Sequence, residues 1–490
     1  MKKSINTKEY KSEYRILKSP EEIKKLHEKA LSSAYRQTYH IQPVSGLLND
    51  PNGFVYQKGK WHLFYQWCPW GAFHGMKHWY QISSDDLITW KNKGVFLRPN
   101  TYFDNRGVFS GSALVKDDDI YLYYTGIHGD QTTDMMASTC IAKLKEDGRS
   151  QKFSAPLFGP NPEYTREQRD PKILFDHNTN KYYILMGGQT KDLKGCILVY
   201  ESEKHNSGWH FKGQLKVPGY EDFGSMWECP SLERISNQDV LIFCPQNLHL
   251  EDHGQGTNHN GYLIGSMDFN TLTFTPEGTF GLLDFGFDSY AAQCAANLDD
   301  DSKAILIAWM GLPGGTYPTD QEEWSGCLTL PRELTIRHKR LIQRPLPQIL
   351  SLRGNRINPG LGILPAATEI LIATYPQDFN MRLCCKGDGS GGILIDYNDK
   401  TQVFTMDRSG MTNRFNQEIG EVRSRILEHG LTSLRIFIDN SSIEIFVNDG
   451  DAVFSSRIFP EMNEHNYIVN ECRSLHIYEM HSGIKESLVV

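Results

Sequence analysis

The chain has 490 residues, 39% of them hydrophobic and 22% charged, with a formal net charge of −8. This size suits two or three globular domains with sizeable cores. A mildly acidic chain without basic runs excludes nucleic acid and anionic membrane as expected partners, and no stretch reaches the apolar length of a membrane span. Aromatic residues make up 11%, including 23 Tyr and 9 Trp, which suits β-rich cores and sites that stack on flat faces such as sugars.

Residues 1–36 read as an N-terminal extension. MKKSINTKEYKSEYRIL has no apolar stretch behind its lysines, so no signal peptide is expected. The 10 cysteines are scattered without a C-x-x-C pair. Both points favour a reducing, cytoplasmic setting. SPEEIKKLHEKALSSAYRQ predicts a short amphipathic helix, with Ser19 as cap, Pro20 in the first turn and Glu22 closing a capping box.

Residues 47–67, LLNDPNGFVYQKGKWHLFYQW, read as a turn leading into a hairpin. The pattern returns. SALVKDDDIYLYYTG, PKILFDHNTNKYYILMGG, PSLERISNQDVLIFCPQ and AANLDDDSKAILIAWMG follow lead-ins at Ser110, Asp170, Glu228 and Asp288. With Asp50 at the head, successive lead-ins lie about 60 residues apart, the mark of a repeat architecture. The prediction is all-β: a five-bladed β-propeller over residues 37–340, with equivalent lead-ins converging near the axis. A sandwich or a solenoid is the alternative. The period ends near Trp324, and RHKRLIQRPLPQILSLRGNRINPG reads as a Pro/Arg-rich connection, with the linker set at 341–360. Residues 361–490 alternate clearly, as in TSLRIFIDNSSIEIFVNDGDAVFSSRIFP, and predict a β-sandwich.

Four of the five lead-ins are acidic. Carboxylates gathered in one cavity either bind a hard cation or do acid/base work on a neutral polyol. Trp227, Cys229 and Pro230 flank Glu228, a setting poor in donors that favours the protonated, acid form. Asp50 lies among Asn49, Asn52 and turn amides, donors that favour the ionised form a nucleophile needs. Each acid alone has a bland explanation: Asp50 as a turn residue, Arg169-Asp170 as a surface ion pair, Glu228 as a strand end. Their shared register with one repeat is what argues for two-carboxylate glycoside hydrolysis.

NDPNG (49–53), LFYQW (63–67), FSGSA (109–113), RDP (169–171) and WECP (227–230) together resemble glycoside hydrolase family 32, the β-fructofuranosidases, which include invertases and sucrose-6-phosphate hydrolases. The resemblance runs from about Tyr39 to the C-terminus. It implies a five-bladed propeller plus a sandwich, and retaining cleavage of terminal β-D-fructofuranosides. Asp50 is then the nucleophile, Glu228 the acid and later base, and Asp170 the transition-state stabiliser. Asn49, Gln66, Phe109, Ser110, Arg169 and Trp309 match positions lining the fructose pocket. Many relatives carry Trp where this chain has His74, which bears on the leaving group beside the fructose. Sucrose, sucrose-6-phosphate and short fructo-oligosaccharides are the expected small-molecule partners.

Three rivals share parts of this pattern: an inverting hydrolase of arabinosides, a fructoside-binding lectin, and a fructosyltransferase using the same residues. HLEDHGQGTNHN brings His249, His253 and His259 beside Glu251 and Asp252. Its glycines and asparagines read as a polar rim loop rather than a metal site, and retaining hydrolysis needs no metal or other cofactor. Phosphate selectivity requires basic groups on the leaving-group side, and Lys77, His78 and Arg106 stand in loops suited to that.

Overall fold

The computed structural model describes residues 15–129, 135–250 and 256–490. Helix α1 (Glu21–Leu31) buries Ile23, His27 and Ala30 on one side and leaves its charged residues outward. The Glu22 carboxylate accepts from the N–H groups of Lys18 (2.9 Å) and Ser19 (3.5 Å), which satisfies donors that precede the helix. Pro20, not Ser19, stands at the helix boundary, and no side chain caps it.

Strands dominate the rest. The first sheet is the antiparallel meander β1 (Gly46–Gln57), β2 (Lys60–Cys68), β3 (His78–Ser84) and β4 (Trp90–Leu97). The second is β5 (Gly107–Lys116), β6 (Asp119–His128), β7 (Met136–Leu144) and β8 (Ser150–Lys152). The third is β9 (Gln168–Asp176), β10 (Lys181–Gln189), β11 (Gly195–Ser202) and β12 (His210–Gln214). The fourth is β13 (Met226–Ile235), β14 (Gln238–Gln246), β15 (Gly261–Asp268) and β16 (Thr273–Pro276), with β17 (Gly281–Leu282) on β15. The fifth begins with β18 (Tyr290–Cys294) and β19 (Ala304–Met310) and continues into the hairpin Arg332–Arg337 and Arg340–Pro345.

The first strands of the five sheets touch in succession, β1 to β5, β5 to β9, β9 to β13 and β13 to β18, and β18 returns to β1. Aromatic and aliphatic side chains fill the space between neighbouring sheets: Phe64, Trp79, Leu122 and Tyr124 in one cluster, Tyr183, Trp227, Leu241 and Phe243 in another. Two late segments join the first sheet as parallel strands, Trp324–Ser325 on β1 and Ile484–Lys485 on β4. Residues from the middle and end of the chain thereby tie the ring shut.

The Pro/Arg-rich stretch is not a plain connection. Arg340–Pro345 is a paired strand, Pro347–Leu352 a 3-10 turn, and Arg353–Ile357 an edge strand of the C-terminal region. That region consists of a six-stranded and a five-stranded sheet sharing one core. Ile370, Ile436 and Ile445 come from the first, Leu383, Ile395 and Met406 from the second. Alternation puts these apolar residues inward on both sheets, as a sandwich requires.

Candidate active site

Each first strand is irregular near its lead-in. The register breaks between Leu48 and Pro51, Phe109 and Gly111, the Arg169 and Lys172 pairings, Glu228 and Ser231, and Tyr290 and Gln293. Asp170, Cys229 and Ala291 stand at these breaks with φ of 67°, 48° and 51°. A bulge bends the strand and re-aims the neighbouring side chain. Arg169, Glu228 and Tyr290 each immediately precede the left-handed residue, so they are the true equivalents. Asp170 and Glu228 are one residue out of register, contrary to the expectation that both occupy the same place in the repeat.

The site unites Asp50, Ser110, Asp170 and Glu228, and leaves Asp288 out. Asp288 is fully buried at the join with the sandwich, where it accepts from the Tyr317 hydroxyl (2.7 Å) and the Arg457 N–H (2.9 Å). The fifth sheet supplies Tyr290 instead. Its hydroxyl donates to Glu228 Oε2 at 2.5 Å.

Asp50 sits in a ring of donors. Ser110 Oγ (2.5 Å) and Gln66 Nε2 (3.2 Å) donate to Oδ2, and Asn49 Nδ2 (3.1 Å) donates to Oδ1. Asn49 also donates to Gln66 Oε1 (3.1 Å), and Gln66 to Ser110 Oγ (2.5 Å). Despite these donors, burial pushes the Asp50 carboxyl above its usual range, and the nearby Glu228 charge adds to the rise. The Ser110 and Asn49 hydrogen bonds and Lys77 pull the other way. The turn donors therefore do not leave Asp50 a strong carboxylic acid, because the tertiary surroundings outweigh them.

Glu228 is not short of donors. Arg169 approaches Oε1 with Nε (2.9 Å) and Nη2 (2.7 Å), while Gln246 Nε2 (2.6 Å) and the Tyr290 hydroxyl hold Oε2. Trp227 turns away from the carboxyl and into the core beside Phe243, its indole N–H donating to Phe223 O (2.5 Å). Arg169 also pairs with Glu167.

Asp170 is 6% exposed. Its Oδ2 accepts from the Cys229 N–H (3.1 Å), and its own N–H donates to Thr125 Oγ1 (2.8 Å). Burial drives its carboxyl up, Arg169 opposes this, and the Glu228 and Asp50 charges add to it, for a value of about 7.

Around the carboxylates, Phe109 is partly buried on β5, with its carbonyl accepting from Trp79 Nε1 (3.1 Å). Trp309 is buried on β19 and meets the edge of His74, ring centroids 6.0 Å apart. Lys77 is 2% exposed; its Nζ donates to Asn49 Oδ1 (2.8 Å) and lies 3.2 Å from His74 Nδ1. Of the other basic candidates, His78 is fully buried and Arg106 is half-buried with Nε 3.4 Å from Gly129 O.

Tyr290, Gln246 and Thr125 escaped the sequence reading of the site. Tyr290 alone had a signal: it lies two residues after the fifth lead-in. Asn52 also acquires a role, donating to Asp50 O (2.8 Å) and accepting from the Gly111 N–H (2.9 Å), which ties β1 to β5. In the His-rich loop, His259 is buried against Leu248 O (2.8 Å). Glu251, Asp252 and His253 lie outside the described residues. Among the described residues no helix is long and apolar enough to cross a membrane, and no group of His, Cys, Asp and Glu is arranged to hold a metal ion.

Three carboxyls gathered from three sheets, with Asp170 buried and Glu228 gripped by Arg169, suit glycoside hydrolysis, and comparison with known proteins agrees. Residues 40–345 match the model of the glycosyl hydrolases family 32 N-terminal domain, and residues 368–481 that of the family 32 C-terminal domain. The chain is 38% identical to the sucrose-6-phosphate hydrolase of Staphylococcus xylosus over 455 residues, covering 90% of each chain. It is 36% identical to that of Bacillus subtilis over 462 residues, covering 91% of this chain and 93% of the other. The structure of sucrose-6-phosphate hydrolase from Lactobacillus gasseri superposes with a TM-score of 0.88 at 34% identity, covering 97% of this chain and 99% of that one. The chain belongs to glycosyl hydrolases family 32 and is a glycoside hydrolase.

Proposed function

We propose that this enzyme cleaves terminal β-D-fructofuranosides with retention, and that sucrose-6-phosphate and sucrose are its substrates. The observation that carries this reading is the meeting of Asp50, Asp170 and Glu228 from three sheets, each carboxyl held by a separate set of donors. The relatives named above, all sucrose-6-phosphate hydrolases, support the substrate.

In this reading an Asp50 oxygen attacks the anomeric carbon as the glycosidic C–O bond breaks. Glu228 delivers its proton to the departing hexose oxygen. A water then attacks the fructosyl ester, Glu228 takes its proton, and Asp50 is freed. The acid/base pair works best if protonated Glu228 and ionised Asp50 coexist; donors around Asp50 stabilise its charge once substrate covers it. Asp170, titrating near neutrality, sits where it can accept from ring hydroxyls. Arg169 and Tyr290 hold Glu228, while Asn49, Gln66, Ser110, Phe109, His74 and Trp309 form the pocket wall.

We also read the ring of five sheets as a five-bladed propeller that ends with the strand Arg340–Pro345, joined through the turn Pro347–Leu352 to a sandwich that opens with the edge strand Arg353–Ile357. The succession of first-strand contacts supports five blades. A cytoplasmic location accords with ten cysteines of which none is in a disulfide.

The test is to incubate the enzyme with sucrose and with its 6-phosphate and follow the first-released fructose anomer by NMR. Initial β-fructose supports retention. Initial α-fructose, or no fructose from either sugar, refutes the reading. Fructosyl transfer shows as trisaccharide at high sucrose.

A further inference from the structure

The loop between β2 and β3 carries a pair of basic side chains that the hydrolytic steps leave unused. Lys77 is almost wholly buried, yet among the described residues its ammonium has no carboxylate within ion-pair distance. Its hydrogen-bond partners are two neutral acceptors, Asn49 Oδ1 at 2.8 Å and His74 Nδ1 at 3.2 Å, while Cys68 and Asp50 lie near enough to act on its charge. An ammonium only donates, so Nδ1 accepts, and the ring proton of a neutral His74 is on Nε2. Burial lowers Lys77 to about 8, which still leaves it mostly charged at neutral pH. The adjacent cation in turn disfavours the imidazolium and keeps His74 neutral.

His74 itself is exposed. Its Nε2 has no hydrogen-bond partner among the described residues, and its ring is fixed edge-on against buried Trp309. The pocket therefore presents an oriented, unpaired N–H with a buried cation behind it. The charge balance indicates what this donor serves. The charge of Glu228 acts on Asp50, and those of Glu228 and Asp50 act on Asp170, while Arg169 is consumed by Glu228 and Glu167. Such a pocket repels an anionic substrate unless a positive centre offsets it. A neutral hydroxyl gains little from the field of Lys77, which also acts on Asp50, whereas a phosphate gains both that field and a charge-assisted hydrogen bond.

We propose that His74, oriented and polarised by Lys77, is the specificity-determining donor for a phosphate ester on the hexose that leaves the fructosyl unit. This rests on the fructofuranosidase reading above and adds which residues read the phosphate. His78 is unsuited, because it is fully buried with Nε2 3.4 Å from the Leu17 N–H.

The experiment compares kcat/KM for sucrose-6-phosphate and sucrose in the full-length enzyme, in His74→Phe and His74→Gln, in Lys77→Met and in Arg106→Ala. The wild-type ratio is expected above one. His74→Phe, which keeps the ring against Trp309, should lower the ratio about tenfold, chiefly by raising KM for the phosphorylated sugar. His74→Gln, which keeps a donor, should recover part of it. Lys77→Met should lower the ratio similarly and also slow sucrose cleavage, because Asn49 loses its anchor. A second readout is independent of turnover: ¹⁵N NMR should show His74 neutral with the proton on Nε2, and Lys77→Met should raise its titration midpoint. A ratio unmoved by His74→Phe, an equal loss on both sugars, or a loss confined to Arg106→Ala overturns the inference while leaving the fructofuranosidase reading intact. An enzyme that releases fructose from neither sugar takes both down.

Discussion

Asp170 shows how one residue carries a cost of function. It occupies the left-handed region with φ of 67°, where a non-glycine residue is strained, and its carboxyl is buried beside two others. Its ordinary value is 3.8 and its folded value about 7. A raised carboxyl contributes its full share of stability only below its unfolded value and loses it as pH rises through the folded one. Asp170→Asn should therefore shift the urea midpoint upward relative to wild type at pH 8, with the gap shrinking toward pH 4, while kcat falls by about 10²-fold or more. Urea titrations at the two pH values, with turnover assayed alongside, check both halves. For the proposed nucleophile, Asp50→Ala should lower kcat by about 10³-fold or more with an unchanged circular dichroism spectrum. Glu228→Gln should fail more severely on substrates with poor leaving groups than on aryl fructosides, because only the former need the proton.

At the scale of elements, the working parts are irregularities in otherwise ordinary strands. Bulges at the first strand of each sheet turn Asp50, Ser110, Arg169, Glu228 and Tyr290 toward one another. Gly53 belongs to this device: its φ is 52°, and a Cβ there would lie 2.6 Å from Leu122 Cδ2 and 2.9 Å from Phe64 Cδ2. Gly53→Ala should cost about 1–3 kcal/mol of stability by strain and overpacking. It should also lower kcat, because it displaces the turn that aims Asp50. Thermal unfolding and a turnover assay measure the two effects. Buried Asn52 and Ser112 hold neighbouring first strands in register, and half-buried Gln293 on β18 accepts from the Phe54 N–H of β1 and donates to Gly111 O of β5.

At the scale of the whole molecule, the join between the ring and the sandwich is a buried charge network. His40 bridges Asp439 (2.9 Å) and Glu444 (2.9 Å), and Arg332 bridges Glu444 (2.5 Å) and Asp284 (3.0 Å), all essentially without solvent. Burial alone would lower His40, but its hydrogen bonds to Asp439 and Glu444 win and raise it to about 9. The contribution is thus complete below about pH 6.5 and lost as pH rises through 9, on the order of 3 kcal/mol. Unfolding free energy should decline across that window, and His40→Gln should flatten the decline while lowering stability at pH 6.5, because buried Asp439 loses its cation and Glu444 keeps only that of Arg332. Denaturant titrations at pH 6.5, 7.5 and 9 test this.

What the chain determines by itself is local. The roughly 60-residue repetition of turn and alternating apolar run made hairpins legible at every lead-in, because strand alternation and turn chemistry act over a few residues. The motifs NDPNG, RDP and WECP marked the carboxylates for the same reason. Three things were settled only by tertiary structure. The one-residue offset between Asp170 and Glu228 depends on where each bulge falls, a matter of cross-strand pairing. The exchange of Asp288 for Tyr290 follows from the sandwich capturing that aspartate. The protonation tendencies reverse the local reading, for Asp50's turn donors are outweighed by burial and by Glu228, a neighbour 178 residues away that no local window contains.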